Sequence, residues 1–297
     1  MRIANPIYDA VFKHLMEDLE IAGGLIGRLL GVKVISLTPL PQEVTDRKAA
    51  SLATNDWNLR LFRLDFAAEV EWIPGQPHKV LIELQKALAA EAVSRFRNYL
   101  GKHYARPPKK SEDLSQKSEN LPIIAIYFLG FTLSPDIPKV VRVQRRYLNA
   151  VTQEPLPAQV RDGFLEQLTH DAVAVQIPLL DDHAESDLER TLAVFDQRRK
   201  ASNPHFLLVK EGEEIVPGDP LVKRIVRKLL AVASDAETQA QMDAEDEVVG
   251  FFERLEIETR LKEQALRAAE KERQHREDAE ARIAELEERL RRLENDK

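Results

Sequence analysis

Two stretches of the chain place an apolar residue at every second position. In Leu61–Trp72 the apolar positions are Phe62, Leu64, Phe66, Ala68, Val70 and Trp72, with Arg63, Asp65, Glu69 and Glu71 among the positions between them. In Lys79–Lys86, Val80, Ile82 and Leu84 alternate with Glu83 and Gln85. A period of two is that of a half-buried strand. Pro74-Gly75-Gln76-Pro77 supplies turn chemistry between them, so the two stretches are predicted to form an antiparallel hairpin. A pairing centred near Gly75 sets Asp65 roughly opposite Gln85 and one pair from Glu83. All three then share a polar face, opposite Phe66, Ile82 and Leu84.

The rest of the chain reads as helices and strands in alternation. Asn5-Pro6 predicts a helix start, with Asn as N-cap and Pro at the first helical position. Tyr8, Val11, Phe12 and Leu15 form its apolar face, and Asp9 and Lys13 are spaced for an ion pair worth about 0.3 to 0.5 kcal/mol. A second helix is predicted over Leu19–Leu30, ending at Gly31, with extended chain over Val32–Leu37. After the hairpin, Ala87–Ala105 has apolar residues at helical spacing, and Pro107–Asn120 is charged and aperiodic, as a flexible loop is. Leu121–Phe131 is almost wholly apolar, the pattern of a strand covered on both faces. Further strands are expected at Lys139–Tyr147 and Ala172–Ile177, with helices near Ser186–Lys200 and Pro220–Ala233. This order predicts an α/β fold.

From about Val248 the composition shifts to charged helix formers without proline. Ile283, Leu286, Leu290 and Leu293 fall at a and d positions of two heptads, so a long C-terminal helix with a short coiled coil is expected. The expected division is a body over residues 1–234 and an acidic tail over residues 235–297. The chain's net charge of −7 is uneven: the tail carries 12 Lys or Arg against 20 Asp or Glu, a net −8, and the body 31 against 30. The body is therefore close to neutral, without the strongly basic composition of a non-specific DNA binder. The absence of cysteine excludes disulfides, thiolate chemistry and cysteine-held metals. With no run of about 18 uncharged apolar residues and no charged-then-apolar leader, a cytoplasmic protein without a membrane partner is expected.

Carboxylates held side by side raise one another's pKa unless a cation relieves them. Asp65 and Glu83 suit magnesium, which takes oxygen ligands and accepts one or two protein carboxylates, leaving its other positions to water and phosphate. The carbonyl of Leu84 could add a third oxygen. The competing reading makes Asp65, Glu83 and Gln85 solvated residues on an open sheet face. Arg95 and Tyr99, one helical turn apart, are candidate phosphate ligands, against a reading as a helix face with a snorkelling arginine. The seven histidines are scattered, and His14, His103 and His170 read as surface or packing residues. Asp181-Asp182-His183 reads as a helix cap. No phosphate-binding glycine loop is present, which excludes a nucleotide-driven motor.

Taken in order, Asp9-x-x-Phe12-Lys13, Arg63-x-Asp65, the Ile82-Glu83-Leu84-Gln85 strand and the Arg95/Tyr99/Tyr104 helix resemble the PD-(D/E)XK nuclease-like group of recombination-promoting nucleases and putative transposases. The resemblance covers about residues 5 to 200. It implies a restriction-endonuclease-like core that hydrolyses DNA phosphodiesters with magnesium or manganese. By this resemblance Asp65 and Glu83 hold the metal, and Gln85 occupies the catalytic lysine position. Glutamine offers only neutral hydrogen bonds there, and strand alternation turns Lys86 to the opposite face. Two readings follow: a metal-dependent endonuclease in recombination, mobile-element biology or defence, and an inactive nuclease-fold scaffold assembled through its tail into a homo-oligomer.

Overall fold

A computed structural model of the protein describes residues 1–40, 66–86, 97, 100, 101, 103, 104, 121–157, 160–181, 183, 185–209 and 218–295. Its elements in chain order are β1 (Arg2–Ala4), α1 (Asp9–Met16), α2 (Leu19–Leu30), β2 (Ser36–Pro39), β3 (Phe66–Glu71), β4 (Pro77–Gln85), β5 (Ile123–Leu129) and β6 (Val140–Val143). They continue with α3 (Gly163–Leu168), β7 (Asp171–Gln176), α4 (Asp187–Leu192), β8 (Phe206–Leu208), α5 (Pro220–Val232) and α6 (Ala236–Asn295). The protein is α/β, with a six-stranded mixed sheet ordered β2-β3-β4-β5-β7-β6 and a separate pair, β1 with β8. Strands β4, β5 and β7 are parallel, and the outer pairings are antiparallel.

The hairpin of β3 and β4 forms, in a register two residues from the expected one. Phe66 pairs with Ile82 and Glu71 with Pro77, whereas a pairing centred near Gly75 would set Phe66 opposite Leu84. The reason is the turn. Gln76 N–H donates to the Ile73 carbonyl at 3.0 Å, with Pro74 at the second position and Gly75 at φ +75° in the third, the residues a type II turn needs. Trp72 is left outside the ladder on one side only, which moves the centre of pairing to Pro74. A shift of two keeps every side chain on its expected face.

Local signals decide the helix ends. Asp18 caps α2 by accepting from Glu20 N–H at 3.1 Å and Ile21 N–H at 3.3 Å, and Gly31 closes it at φ +65°, as expected for the end of the helix. Asn5-Pro6 does not start α1, which begins at Asp9. Asn5 is buried and exchanges two 3.0 Å hydrogen bonds with the Gln197 amide. Its Nδ2 also donates to the Pro204 carbonyl at 2.9 Å. Its Oδ1 also accepts from Ile7 N–H at 3.2 Å, closing a local turn that ends before α1 begins at Asp9. Asp181, from the Asp181-Asp182-His183 stretch, likewise does not cap α4. Ser186 does, in a reciprocal capping box with Glu189, while Asp181 accepts from His183 N–H at 3.0 Å. The helix expected near Ser186–Lys200 is α4 followed by two 3₁₀ turns, Ala193–Phe195 and Gln197–Arg199. The ion pair of Asp9 and Lys13 is present.

The sheet is covered on both sides. On its first face Phe66, Val80, Ile82, Ile126, Phe128, Val173 and Val175 pack with α1, α2 and α5 in the main core. Phe12, Phe128 and Phe195 meet there, with Phe128 and Phe195 stacked at 5.2 Å. On the second face Ala67, Leu81, Ile123 and Ala125 pack beneath Leu100 and Tyr104, two of five described helical residues between 97 and 104.

Arg28 locks the helical layer. It donates to both carboxylate oxygens of Asp219, at 2.7 and 3.0 Å, to Thr191 Oγ1 at 2.5 Å and to the Asp187 carbonyl at 3.0 Å. Asp219 also caps α5 through Leu221 and Val222 N–H, so one carboxylate joins α2, α4 and α5. Its burial opposes ionisation, but the Arg28 and helix N–H hydrogen bonds hold its pKa below the ordinary value.

The chain divides into two compact units, Met1–Met242 and Asp243–Lys297. The start of α6 belongs to the first, with Thr238 and Met242 buried. Residues 245, 246 and 248–250 are half-buried, and from Phe251 on the described side chains of the helix are exposed, carrying ion pairs one turn apart such as Glu258–Lys262 at 2.7 Å and Glu272–Arg276 at 2.6 Å. Ile283 is exposed, and the side chains of Leu286, Leu290 and Leu293 lie outside the described set. Among the described residues no helix is long and apolar enough to cross a membrane.

Asp219→Ala removes a cap and strands the Arg28 guanidinium, and is expected to lower the unfolding free energy by about 3 kcal/mol. Urea denaturation followed by circular dichroism measures it, and a loss below about 0.5 kcal/mol, the range of ordinary surface changes, would show that the knot carries no weight.

Candidate functional site

The polar positions singled out in the sequence meet the structure at the C-terminal half of β4. This strand begins as the antiparallel partner of β3 and lies parallel to β5, so Val80, Leu81 and Ile82 are fully buried. Beyond Ile82 the cover thins, and Glu83, Leu84 and Gln85 are half-buried. Glu83 and Gln85 share the second face with Leu81, whereas Leu84 packs against the main core with Ile82. Asp65, the other proposed metal ligand, lies outside the described residues, as do Arg95 and Tyr99. Among the described residues no group of three His, Asp or Glu is gathered for a metal ion.

Glu83 stands opposite Tyr127 in the parallel register. Burial pushes the Tyr127 phenol well above its ordinary pKa, and the Glu83 charge and Tyr104 push it further, so Tyr127 stays protonated as a hydrogen-bond donor. Tyr104 follows on the same face, with its hydroxyl 2.9 Å from His170 Nδ1. Burial, and next the Arg145 charge, lower the His170 pKa. Glu83 and Tyr127 on the sheet, Tyr104 from the helical residues above it and His170 thus form a polar row. Tyr127 and His170 were not selected as site residues from the sequence: Tyr127 is hidden in an apolar strand, and only the β4/β5 pairing sets it beside Glu83.

Lys86 is turned to the first face. Its Nζ stands 3.5 Å from the centroid of the Tyr8 ring, a cation–π contact with a buried aromatic. The ammonium is therefore directed away from the face that Glu83 and Gln85 share. A close backbone approach holds this end of β4. Gly130 N–H donates to the Gln85 carbonyl at 2.8 Å, and a Cβ at position 130 would stand 2.2 Å from the Lys86 carbonyl oxygen. Only glycine lets the chain leaving β5 pass there.

The histidines have structural surroundings. His14 Nδ1 is 3.0 Å from Glu17, and His78 stacks on Trp72 at 4.1 Å. His103 is buried on the second face, its Nδ1 without a hydrogen-bond partner among the described residues. Burial, and next the Lys79 charge, push its pKa down to about 4.

No family model, curated protein or solved structure matches the chain. The assignment of function therefore rests on the geometry of the chain itself.

Two outcomes test this construction. Gly130→Ala is expected to cost about 1 to 3 kcal/mol from overpacking against the Lys86 carbonyl, read as a lower urea midpoint; an unchanged midpoint would show that the two segments separate freely. His103 stays neutral in the folded protein to about pH 4, while in the unfolded chain it takes up its proton near pH 6.5. The unfolded state binds more protons between these values, so stability falls as pH drops from about 6.5 towards 4. His103→Leu is expected to reduce that slope by about 1 to 2 kcal/mol between pH 7.5 and 5, and equal slopes would place His103 in a more hydrated setting.

Proposed function

We propose that the protein is a magnesium-dependent DNA endonuclease built on a restriction-endonuclease-like core of the PD-(D/E)XK kind, acting in the cytoplasm. The observation that carries this reading is Glu83: a half-buried carboxylate with Gln85 beside it on one face, in the strand that joins an antiparallel hairpin to a parallel neighbour. The register pairs Phe66 with Ile82. The alternation in the sequence that puts Asp65 on the face of Glu69 and Glu71 supports Asp65 as the second carboxylate.

The donors on this face fit magnesium in kind, being hard oxygens from a carboxylate and an amide. When bound, the metal would polarise a phosphate and lower the pKa of an attacking water. In this reading Asp65 and Glu83 hold the metal, the Gln85 amide orients water or a phosphate oxygen, and Arg95 and Tyr99 bind the DNA backbone. Tyr127, kept protonated by burial, stands beside Glu83 in the β4/β5 register. The tail helix, with its acidic balance, is repelled by DNA and is assigned to self-association through Ile283, Leu286, Leu290 and Leu293.

A second reading, an inactive nuclease-fold scaffold, is favoured by one observation. The only lysine next to Gln85 is Lys86, and it lies over Tyr8 on the other face. Supercoiled plasmid incubated with the full-length protein and magnesium or manganese distinguishes the two. The nuclease reading expects nicking that Glu83→Gln reduces by about 100-fold or more with the fold retained. Cleavage unchanged by Glu83→Gln would overturn the mechanism. No cleavage, together with no magnesium or manganese bound in calorimetry, would favour the scaffold.

A further inference from the structure

We propose that β6 is a self-pairing edge: a second copy of this chain adds its own β6 antiparallel about Val141, joining two sheets into one. The proposal is independent of the nuclease reading and of the tail helix.

Strand β6 is the last in the sheet order, so among the described residues no strand lies beyond it. Gln176 N–H donates to the Lys139 carbonyl at 2.8 Å, and the ladder pairs Val140 with Val175 through Val143 with Ala172. In an antiparallel ladder the bonded positions alternate. Positions 139, 141 and 143 therefore turn their peptide groups towards β7, and Val140 and Arg142 turn theirs outward. The one charge on the strand is drawn aside, for Arg142 Nη1 donates to the Leu30 carbonyl at 3.1 Å.

Next to this edge lies an unusual amount of uncovered apolar surface. Val143 is 60% exposed, Val151 90%, Phe164 70% and Leu168 61%, with Leu148 and Leu165 also exposed. They sit on one folded arm, because Arg145 and Arg161 both donate to the Glu166 carboxylate, at 2.8 and 3.1 Å, and Tyr147 donates to it as well. At such exposures these side chains present on the order of 600 Å² of apolar area, the upper end of what a monomer shows. With a strand edge added, that approaches the roughly 800 Å² per partner of a stable interface.

A second copy is the occupant that the edge itself specifies. Outward-facing peptides must meet outward-facing peptides, and an isologous contact repeats each pairing across a two-fold axis. Centring on Val141 sets Val140 opposite Arg142 of the copy and Val141 opposite itself. Centring on Arg142 would oppose two arginines, and centring on Val140 would move the axis away from the apolar arm.

The protein has no cysteine, so a single introduced thiol reports this contact. In the full-length chain, Val141→Cys would stand about 4.5 Å Cα to Cα from its own copy as a non-bonded pair, within disulfide reach. Val143→Cys, four positions further from its copy, would be separated by roughly 13 Å along the strand. Under mild oxidation, Val141→Cys is expected to form a covalent dimer about tenfold faster or more than Val143→Cys. Adding Phe164→Asp and Leu168→Asp should slow it to the control rate. Independently, hydrogen exchange at the Val140 and Arg142 amides of the unmodified protein should slow with increasing protein concentration. Equal cross-linking of the two cysteine variants, with exchange independent of concentration, would overturn the proposal, including the case where the chain associates only through its tail.

Discussion

The burial of β4 and β5 on both sides is the constraint from which the rest of this structure follows. Two parallel neighbours cannot be joined by a tight turn, so chain must cross from one to the other and cover the sheet. Val80, Leu81 and Ile82 in succession, and Ala125 and Ile126 beside them, reach zero or near-zero exposure only because α1, α2 and α5 close one face while Leu100 and Tyr104 close the other. Hydrophobic burial of this kind is worth about 1.5 to 3 kcal/mol for each large side chain. It fixes which strands lie in the middle and leaves β2 and β6 at the edges.

That same burial makes the candidate site. Where β4 runs past its cover, the alternation that placed Leu81 inward places Glu83 and Gln85 on the same face at half burial, beside Tyr127. A carboxylate there is dry enough to feel neighbouring groups and open enough to meet a ligand. Gly130 and Lys86 set the limit of this end: the peptide contact between them leaves no room for a side chain, and the Lys86 ammonium is held over Tyr8. The nuclease proposal and the scaffold proposal differ over one question of chemistry, whether the neutral Gln85 amide can serve where the resembling family places a cation.

Polar groups inside the fold join distant segments. Asn5 binds Gln197, and Arg28 gathers Asp187, Thr191 and Asp219 from two other helices. Gln176, fully buried in β7, accepts from Leu133 N–H and donates to the Ile137 and Pro138 carbonyls, at 3.0 and 2.7 Å, fixing the chain that enters β6. Each is a side chain whose residue type alone suggests a local turn or a surface position. Buried polar groups require partners, and here the partners are supplied by segments far apart in sequence.

The amino-acid sequence by itself determined the α/β class, the hairpin, the apolar middle strand, the span of α2 from Leu19 to its end at Gly31 and the face shared by Glu83 and Gln85. These depend on periodicity and on capping chemistry, which act over a few residues. The tertiary structure alone decided the engagement of Asn5 with Gln197, the pairing of β1 with β8, and the meeting of Glu83 with Tyr127. Each of these joins segments whose separation in the chain no local pattern encodes. A side chain's partner is set by which elements the core brings together, so a polar residue can be read as polar from sequence, while the group it answers to is known only once the sheet is assembled.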